Sequence, residues 1–373
     1  MTLRPAARLR PLSVRLAVML VFISIIGIGL LILFHESGHF LAAKSFGMKA
    51  EKFYIGFPPA LVKKKIGETE YGVGFIPLGG YVKIMGMTRE EEVPAGEEGR
   101  AYFSQPVWQR VLTIAAGPLM NVLIAGLLFF VFYYQGVPDF RPNTTVAQVV
   151  SGSGAQAAGI QSGDKVLAIN GVRSNDPEAM RSFLQRHPDQ KVTVAVERGG
   201  RQMVISATVG RDPDNSSQGQ LGIGFGQDLV GTLPMPIFQA GKDAVSDLGF
   251  ITKEVFVAIK NLFVSAQSRS QLSSPIGIVA ISSETISLGW GIYIRVLGLI
   301  SLQLAIFNLL PLLPLDGGHV LFNLIEKVKG SPIRRETFER VSIVGLALFA
   351  LLFIMGLMND IQKLMGPGFG LNP

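Results

Sequence analysis

Four apolar windows constrain this chain more than any other feature: Leu16–Phe34, Val111–Tyr134, Val296–Leu315 and Val341–Met358. A helix needs about 20 predominantly apolar residues to cross a bilayer. Hydrocarbon offers no partner to an unpaired backbone group, so such windows are expected to be helices. Composition agrees: the chain is 48% hydrophobic and 16% charged, whereas a soluble domain is about a quarter charged. The expected class is a polytopic α-helical membrane protein with four transmembrane helices. Pro311 and Pro314 should break the end of the third. Arg4, Arg8, Arg10 and Arg15 precede the first window as they would a signal peptide. The apolar run is too long for one, however, and no A-x-A site follows before Lys44, so this window reads as a retained helix.

The windows divide the remainder. A tail covers 1–15, the first span 16–44, a loop 45–110 and the second span 111–134. A polar segment at 143–226 reads as a soluble insert, followed by a linker at 227–290. The third span covers 291–325, a short basic loop 326–340 and the fourth span 341–359. The net charge of +7 is concentrated in two loops, one carrying Lys63, Lys64, Lys65, Arg89 and Arg100, the other Lys327, Lys329, Arg334 and Arg335. Both should face the cytosol, which puts the insert and both termini outside. The N-terminal arginines oppose this orientation and are outvoted, because long outward domains translocate largely regardless of charge. No basic, aromatic-interleaved patch suggests nucleic acid.

The first window runs into LILFHESGHFLAAK, Leu31–Lys44. Ionisable groups at membrane depth are costly and usually functional. His35 and His39 are four apart and share a helix face, so both can grip one metal ion with Glu36 beside it. This is the H-E-x-x-H arrangement, in which the glutamate is general base on a metal-activated water. The alternative is three polar groups bonded to neighbouring helices. Lys44 should mark the interface; at about 1.5 Å per residue, His35 then lies on the order of 13 Å below the cytosolic surface. Water would need a polar pocket open to the cytosol.

The chain has no cysteine, so a metal must use His, Asp or Glu, and a catalytic zinc takes three protein ligands. Of the four histidines, His187 falls in the insert and reads as a surface residue. NLLPLLPLDGGH, Asn308–His319, offers Asp316 and His319. Its prolines and glycines let the backbone leave the helical path and approach a metal. Chemistry alone does not separate these two candidates, and Asp316 also suits an ordinary helix-ending turn.

In order, HESGH on the first span, GPLMN (Gly117–Asn121) on the second and NLLPLLPLDGG on the third resemble the site-2 protease family of intramembrane zinc metalloproteases. The likeness is greatest to the bacterial regulator-of-sigma-E protease type and runs over nearly the whole chain. It implies Zn2+ on His35, His39 and Asp316, a catalytic Glu36, and His319 as a neighbour. It implies that Asn121 and Asn308 lie near the active site and hold substrate backbone; read from the residues alone, helix–helix glue explains each as well. It further implies a multi-pass protein of the bacterial inner membrane. The substrates would be single-span membrane proteins, such as anti-sigma factors or remnant signal peptides, already shortened by an upstream site-1 protease.

Within the first loop, Glu68–Gly86 reads as a β-hairpin, with Tyr71, Val73 and Phe75 alternating, a turn at Pro77–Gly80, and Tyr81, Val82 and Ile84 returning. The resemblance implies that this hairpin re-enters the membrane near the zinc. Its edge at Gly72, Val73 and Gly74 would hold an unwound substrate by β-augmentation. The alternative is a hairpin lying on the headgroups.

The insert alternates strand and helix over Thr144–Val209. VAQVV, KVLAING and the pair in KVTVAVERGGRQMVISATV read as strands, Ala155–Ala158 as a short helix, and DPEAMRSFLQRH as a helix with Asp176 as N-cap and Pro177 at N1. With AAGIQSGDKVLAINGV this resembles a single extracytoplasmic PDZ domain of the bacterial protease kind. The resemblance implies capture of a chain end or strand, with LGIGF, Leu221–Phe225, as candidate groove, and a role in gating or docking substrate. Beyond it, FQAGKDAVSDLGFITKEVFVAIKNLF is expected to be an amphipathic helix, either on the outer membrane face or packed on the insert. The whole reads as an intramembrane zinc metalloendopeptidase. Its rivals are a metal carrier and a catalytically inactive adaptor.

Overall fold

The computed structural model describes residues 14–88, 91–173, 175–212 and 215–365; Arg4, Arg8, Arg10 and Arg89 lie outside them. In chain order the elements are α1 (Val14–Ser45), β1 (Ala50–Ile66), β2 (Thr69–Ile84), α2 (Val107–Gln135), β3 (Val137–Val149), α3 (Gly154–Ala157), β4 (Lys165–Ile169), β5 (Val172–Arg173), α4 (Pro177–Gln185), β6 (Lys191–Arg198), β7 (Arg201–Thr208), β8 (Gly210–Arg211), β9 (Gly219–Gln220), β10 (Ile223–Leu233), α5 (Ile237–Val264), α6 (Ala266–Ser270), α7 (Pro275–Leu288), α8 (Trp290–Asn308), α9 (Asp316–Lys329) and α10 (Arg335–Met365). Pro138–Leu233 form one compact unit and the other described residues a second.

In the helical unit α1, α2, α8 and α10 are long and apolar enough to cross a membrane, one for each window. The expected third span, 291–325, is two helices rather than one. α8 ends at Asn308 and α9 begins at Asp316. Pro311 and Pro314 have no N–H to continue the ladder and disfavour helix in the residues before them. Gly317 then packs on the returning backbone, where a Cβ would overlap the carbonyls of Leu309 and Leu310. Asp316 in the first turn and Lys327 and Lys329 in the last complement the dipole of α9.

Ala125 and Phe129 of α2 bury against Leu302 and Ile306 of α8, and α5 adds Ala244, Ile251 and Val255 to the same cluster. The apolar stripe of α5 is therefore spent on α2 and α8. Its Phe238, Phe250 and Phe256 are exposed, an apolar outer face of the kind that lipid covers. The short apolar α7 was not expected from the sequence; its Ile286 packs with Leu20 of α1 and Tyr293 of α8.

The expected two-strand hairpin at 68–86 is also corrected. Tyr54 pairs with both Tyr81 and Gly72, and Ile55 with both Gly80 and Val73. β1 and β2 thus fold into four paired segments, in the order 80–84, 50–55, 70–73 and 60–66, the two outer pairs antiparallel and the central pair, 50–55 with 70–73, running in the same direction. The stretch around Phe53, Tyr54 and Ile55 is as β-prone as the two arms it separates. The tight turn lies between Ile66 and Thr69, where Gly67 has φ 63°. Glu68 in that turn accepts from Lys44 Nζ at 2.6 Å and from Arg100 at 2.9 Å, tying the sheet to the end of α1. Arg100 and then Lys44 hold the Glu68 carboxyl down at about 2.

The β-rich unit is a sheet in the order β10-β3-β4-β6-β7, with β5 paired to β4. Val192, Val194 and Val196 alternate inward from β6 and pack with Val166, Met180 and Leu184. α4 starts as expected, with the Asp176 side chain accepting from Glu178 N and Pro177 in the first turn. Asp164 is buried and takes both ends of Arg198, at 2.6 and 2.7 Å. The guanidinium holds its carboxyl below the usual range.

Asp164→Ala should therefore destabilise residues 138–233, expressed alone, by about 2 kcal/mol. That is less than the loss of a fully buried pair because the Arg198 side chain is 30% exposed. A depressed carboxyl contributes stability above its unfolded pKa and loses it as pH falls through the folded value. The difference between variant and wild type should therefore shrink in acid. Denaturant unfolding at neutral pH and near pH 2 measures it; an unchanged difference would assign the effect to packing.

Candidate metal centre

His35 and His39 sit one turn apart on α1, and both are buried. Asp316 opens α9. Their donor atoms form a triangle: His35 Nε2 to Asp316 Oδ2 is 3.1 Å, His39 Nε2 to Asp316 Oδ2 is 3.4 Å, and the two Nε2 atoms are 3.2 Å apart. Zinc–ligand bonds of about 2.0–2.1 Å in tetrahedral array require donors about 3.3–3.4 Å apart. The imidazole planes are turned 83° to each other, so the rings do not stack. Asp316 Oδ2 is buried without a hydrogen bond, a lone pair left facing the two nitrogens. Two imidazoles and one carboxylate are a catalytic zinc donor set that leaves a fourth position open. The residues fit the metal.

The GPLMN motif of α2 supports this triangle. A Cβ on Gly117 would overlap the His39 ring, and one on Gly38 would overlap the Ala116 carbonyl. The two glycines let α1 and α2 touch beside the ligands. Pro118 has no N–H for the Ile114 carbonyl and loosens that turn of α2. The adjacent Thr113 carbonyl accepts from His39 Nδ1 at 2.9 Å, which puts the proton on Nδ1 and frees Nε2. Asn121, one turn past Gly117, is fully buried with its amide nitrogen 3.5 Å from His35 Nδ1. Ser301 of α8 donates to the Asn121 backbone carbonyl at 2.8 Å.

A cavity of about 560 Å³ opens beside the triangle. Glu36, Asn121, Asn308 and His319 line it, as do Gly79–Val82 of β2. Glu36 stays out of the triangle and accepts from Val82 N at 3.1 Å. His319 stands over the ring of Phe338, 5.5 Å between centroids.

Gly72, Val73 and Gly74 are not brought to this cavity. Gly72 is paired with Tyr54 and Lys63, Val73 with Ile55 and Val62, and Gly74 with Ala60. Gly72 and Val73, paired on both sides, have no edge to offer. The edge beside Glu36 is Gly79–Val82, which the sequence reading took as turn and return strand. The Gly79-Gly80 pair was its signal, since a side chain at Gly80 would crowd the Tyr54 carbonyl and Glu36. Thr113 acts through its own backbone carbonyl and the Ser301 hydroxyl acts on that of Asn121, so neither residue carries a signal of its own.

Two histidines and a glutamate on a helix of bilayer length, with a carboxylate from the shorter α9 completing the donor set, define a membrane metallohydrolase. The chain matches Peptidase family M50 over residues 23–352, and it belongs to that family. A Clostridium perfringens relative named as a zinc metalloprotease is 31% identical, covering 92% of this chain and 98% of its own. Another of that name, from Rhizobium meliloti, is 30% identical over 90% and 95%. The regulator of sigma-W protease of Bacillus subtilis is 27% identical over 91% and 97%. Among solved structures, the PDZ domain of an SdrC-like protein from Listeria monocytogenes covers 24% of this chain at 15% identity and a TM-score of 0.21. The protein is a membrane metalloprotease, and its donor set suits zinc, the metal for which two of these relatives are named.

Proposed function

We propose that the enzyme hydrolyses peptide bonds within or next to the membrane span of single-span proteins, using a zinc ion held by His35, His39 and Asp316. The donor triangle carried by α1 and α9 is the observation that carries this reading. Zinc supplies a polarised carbonyl and a water acidified from about 16 to about 7. Glu36, anchored through one oxygen by Val82 N–H, takes a proton from the attacking water and delivers it to the leaving amine. The C–O bond forms first and the C–N bond breaks once the amine nitrogen has taken that proton, so one water is consumed for each acid and amine produced.

A helical span hides its peptide bonds, so the substrate must be unwound. The edge at Gly79–Val82 offers backbone groups to an extended segment, and irregular backbone at membrane depth is tolerated against such a cavity. The basic loops favour a cavity open toward the cytosol of a bacterial inner membrane and an extracytoplasmic β-rich unit. That unit serves as a PDZ-like module that docks or filters substrate. The regulator of sigma-W protease name of one relative suggests regulatory membrane proteins, trimmed beforehand by another protease, as substrates.

The test is a panel of single-span peptides offered to purified, lipid-reconstituted enzyme. Cleavage inside the span should occur, stop with a chelator and return with zinc. Zinc-loaded enzyme that cut soluble chains and left every membrane span intact would overturn the substrate class.

A further inference from the structure

We infer that Asn121 is a positioning residue for the metal centre, its side-chain amide setting the His35 tautomer that leaves Nε2 free to ligate. This rests on the zinc reading above. His35 Nε2 is the atom that converges with His39 Nε2 and Asp316 Oδ2. A ligating imidazole nitrogen presents a lone pair, so the proton of the neutral ring belongs on Nδ1. In a buried setting that N–H needs an acceptor. His39 finds one in the Thr113 carbonyl. His35 Nδ1 faces the amide of Asn121.

The orientation of that amide decides the chemistry. With its nitrogen toward His35, at 3.5 Å, Asn121 Oδ1 is buried without a partner. The ring would then have to accept at Nδ1 and carry its proton on Nε2, pointing into the donor triangle. A half-turn about the last side-chain bond keeps the shape of the group, because the two ends of an amide are nearly alike. It places the oxygen on the His35 N–H and removes the orphaned acceptor.

The backbone is arranged to hold this group. Gly117 faces His39 and Asn121 faces His35, so an i, i+4 pair on α2 meets the i, i+4 pair on α1. Ser301 fixes the Asn121 carbonyl to α8. Helix–helix glue would not require the amide to meet an imidazole nitrogen. A substrate-holding role would not require it to be fully buried.

The experiment uses the full chain in detergent or lipid. Zinc affinity is measured by competition with a chromophoric chelator for wild type, Asn121→Leu (similar in shape, no acceptor) and Asn121→Asp (acceptor only). Asn121→Leu should bind zinc about 10–100-fold more weakly, and Asn121→Asp at least as tightly as wild type. The chain has four histidines, so 15N-histidine spectra are tractable. The zinc-loaded wild type should show His35 protonated at Nδ1, a signature weakened in Asn121→Leu and kept in Asn121→Asp. If Asn121→Leu fails to fold, Asn121→Ala gives the same comparison. Wild-type zinc affinity and an unchanged histidine signature in the acceptor-free variant, with only KM raised, would overturn the proposal in favour of substrate binding. Failure of the wild type itself to take up zinc would instead overturn the zinc reading.

Discussion

Glu36→Gln is expected to load zinc like the wild type and to cleave at least 10²-fold more slowly. The carboxylate lies outside the donor triangle and is held by Val82 N–H at 3.1 Å, so removing its charge takes no ligand from the metal. Glutamine has the same shape, and its carbonyl oxygen can still accept from Val82. What it cannot do is take a proton from water and return it to an amine. General acid–base catalysis of this kind contributes about 10²–10⁴-fold. Zinc content per chain and single-turnover cleavage of a single-span peptide separate the possibilities. Equal cleavage would remove Glu36 from the mechanism; loss of zinc would make it structural. A metal carrier would keep most of its zinc flux in this variant, which separates that rival as well.

How far the sequence could be read depends on where each contact is encoded. The histidines of α1 were legible because their relation is local: four residues of helix place two rings on one face whatever surrounds them. The apolar windows were legible for the same reason, since length and hydropathy need no tertiary partner. Asp316 was not separable from His319 by chemistry. The difference is one of position, the first turn of α9 against a site three residues on, and it depends on a chain break made by Pro311, Pro314 and the glycines. The β-sheet was misread because strand pairing is non-local. Tyr71–Phe75 and Tyr81–Ile84 alternate as a hairpin would, and nothing local shows that Ala50–Ile55 inserts between them. That error moved the candidate substrate edge from Gly79–Val82 to Gly72–Gly74. The roles of Gly117 and Asn121 were half-visible: a small residue and an amide one turn apart suggest a helix contact, and only the structure supplies the two imidazoles opposite them.

The same distinction between neighbour and ligand yields the other large effect. Asp316→Ala should lose zinc, whereas His319→Ala should keep it. Asp316 Oδ2 is 3.1 and 3.4 Å from the two Nε2 atoms and has no hydrogen bond of its own. Removing it leaves two imidazoles and an open cavity, and among the described residues no other donor joins that cluster. Loss of a group that merely orients a ligand costs up to about 100-fold in metal affinity, so loss of a ligand should exceed that. His319 lines the same cavity, but its ring packs near Phe338, and moving it into the triangle would require α9 to turn about its axis. Chelator competition on both variants, with Glu36→Gln as the zinc-loaded inactive reference, makes the comparison. Zinc retained by Asp316→Ala and lost from His319→Ala would exchange the two roles and rotate α9 in the working enzyme.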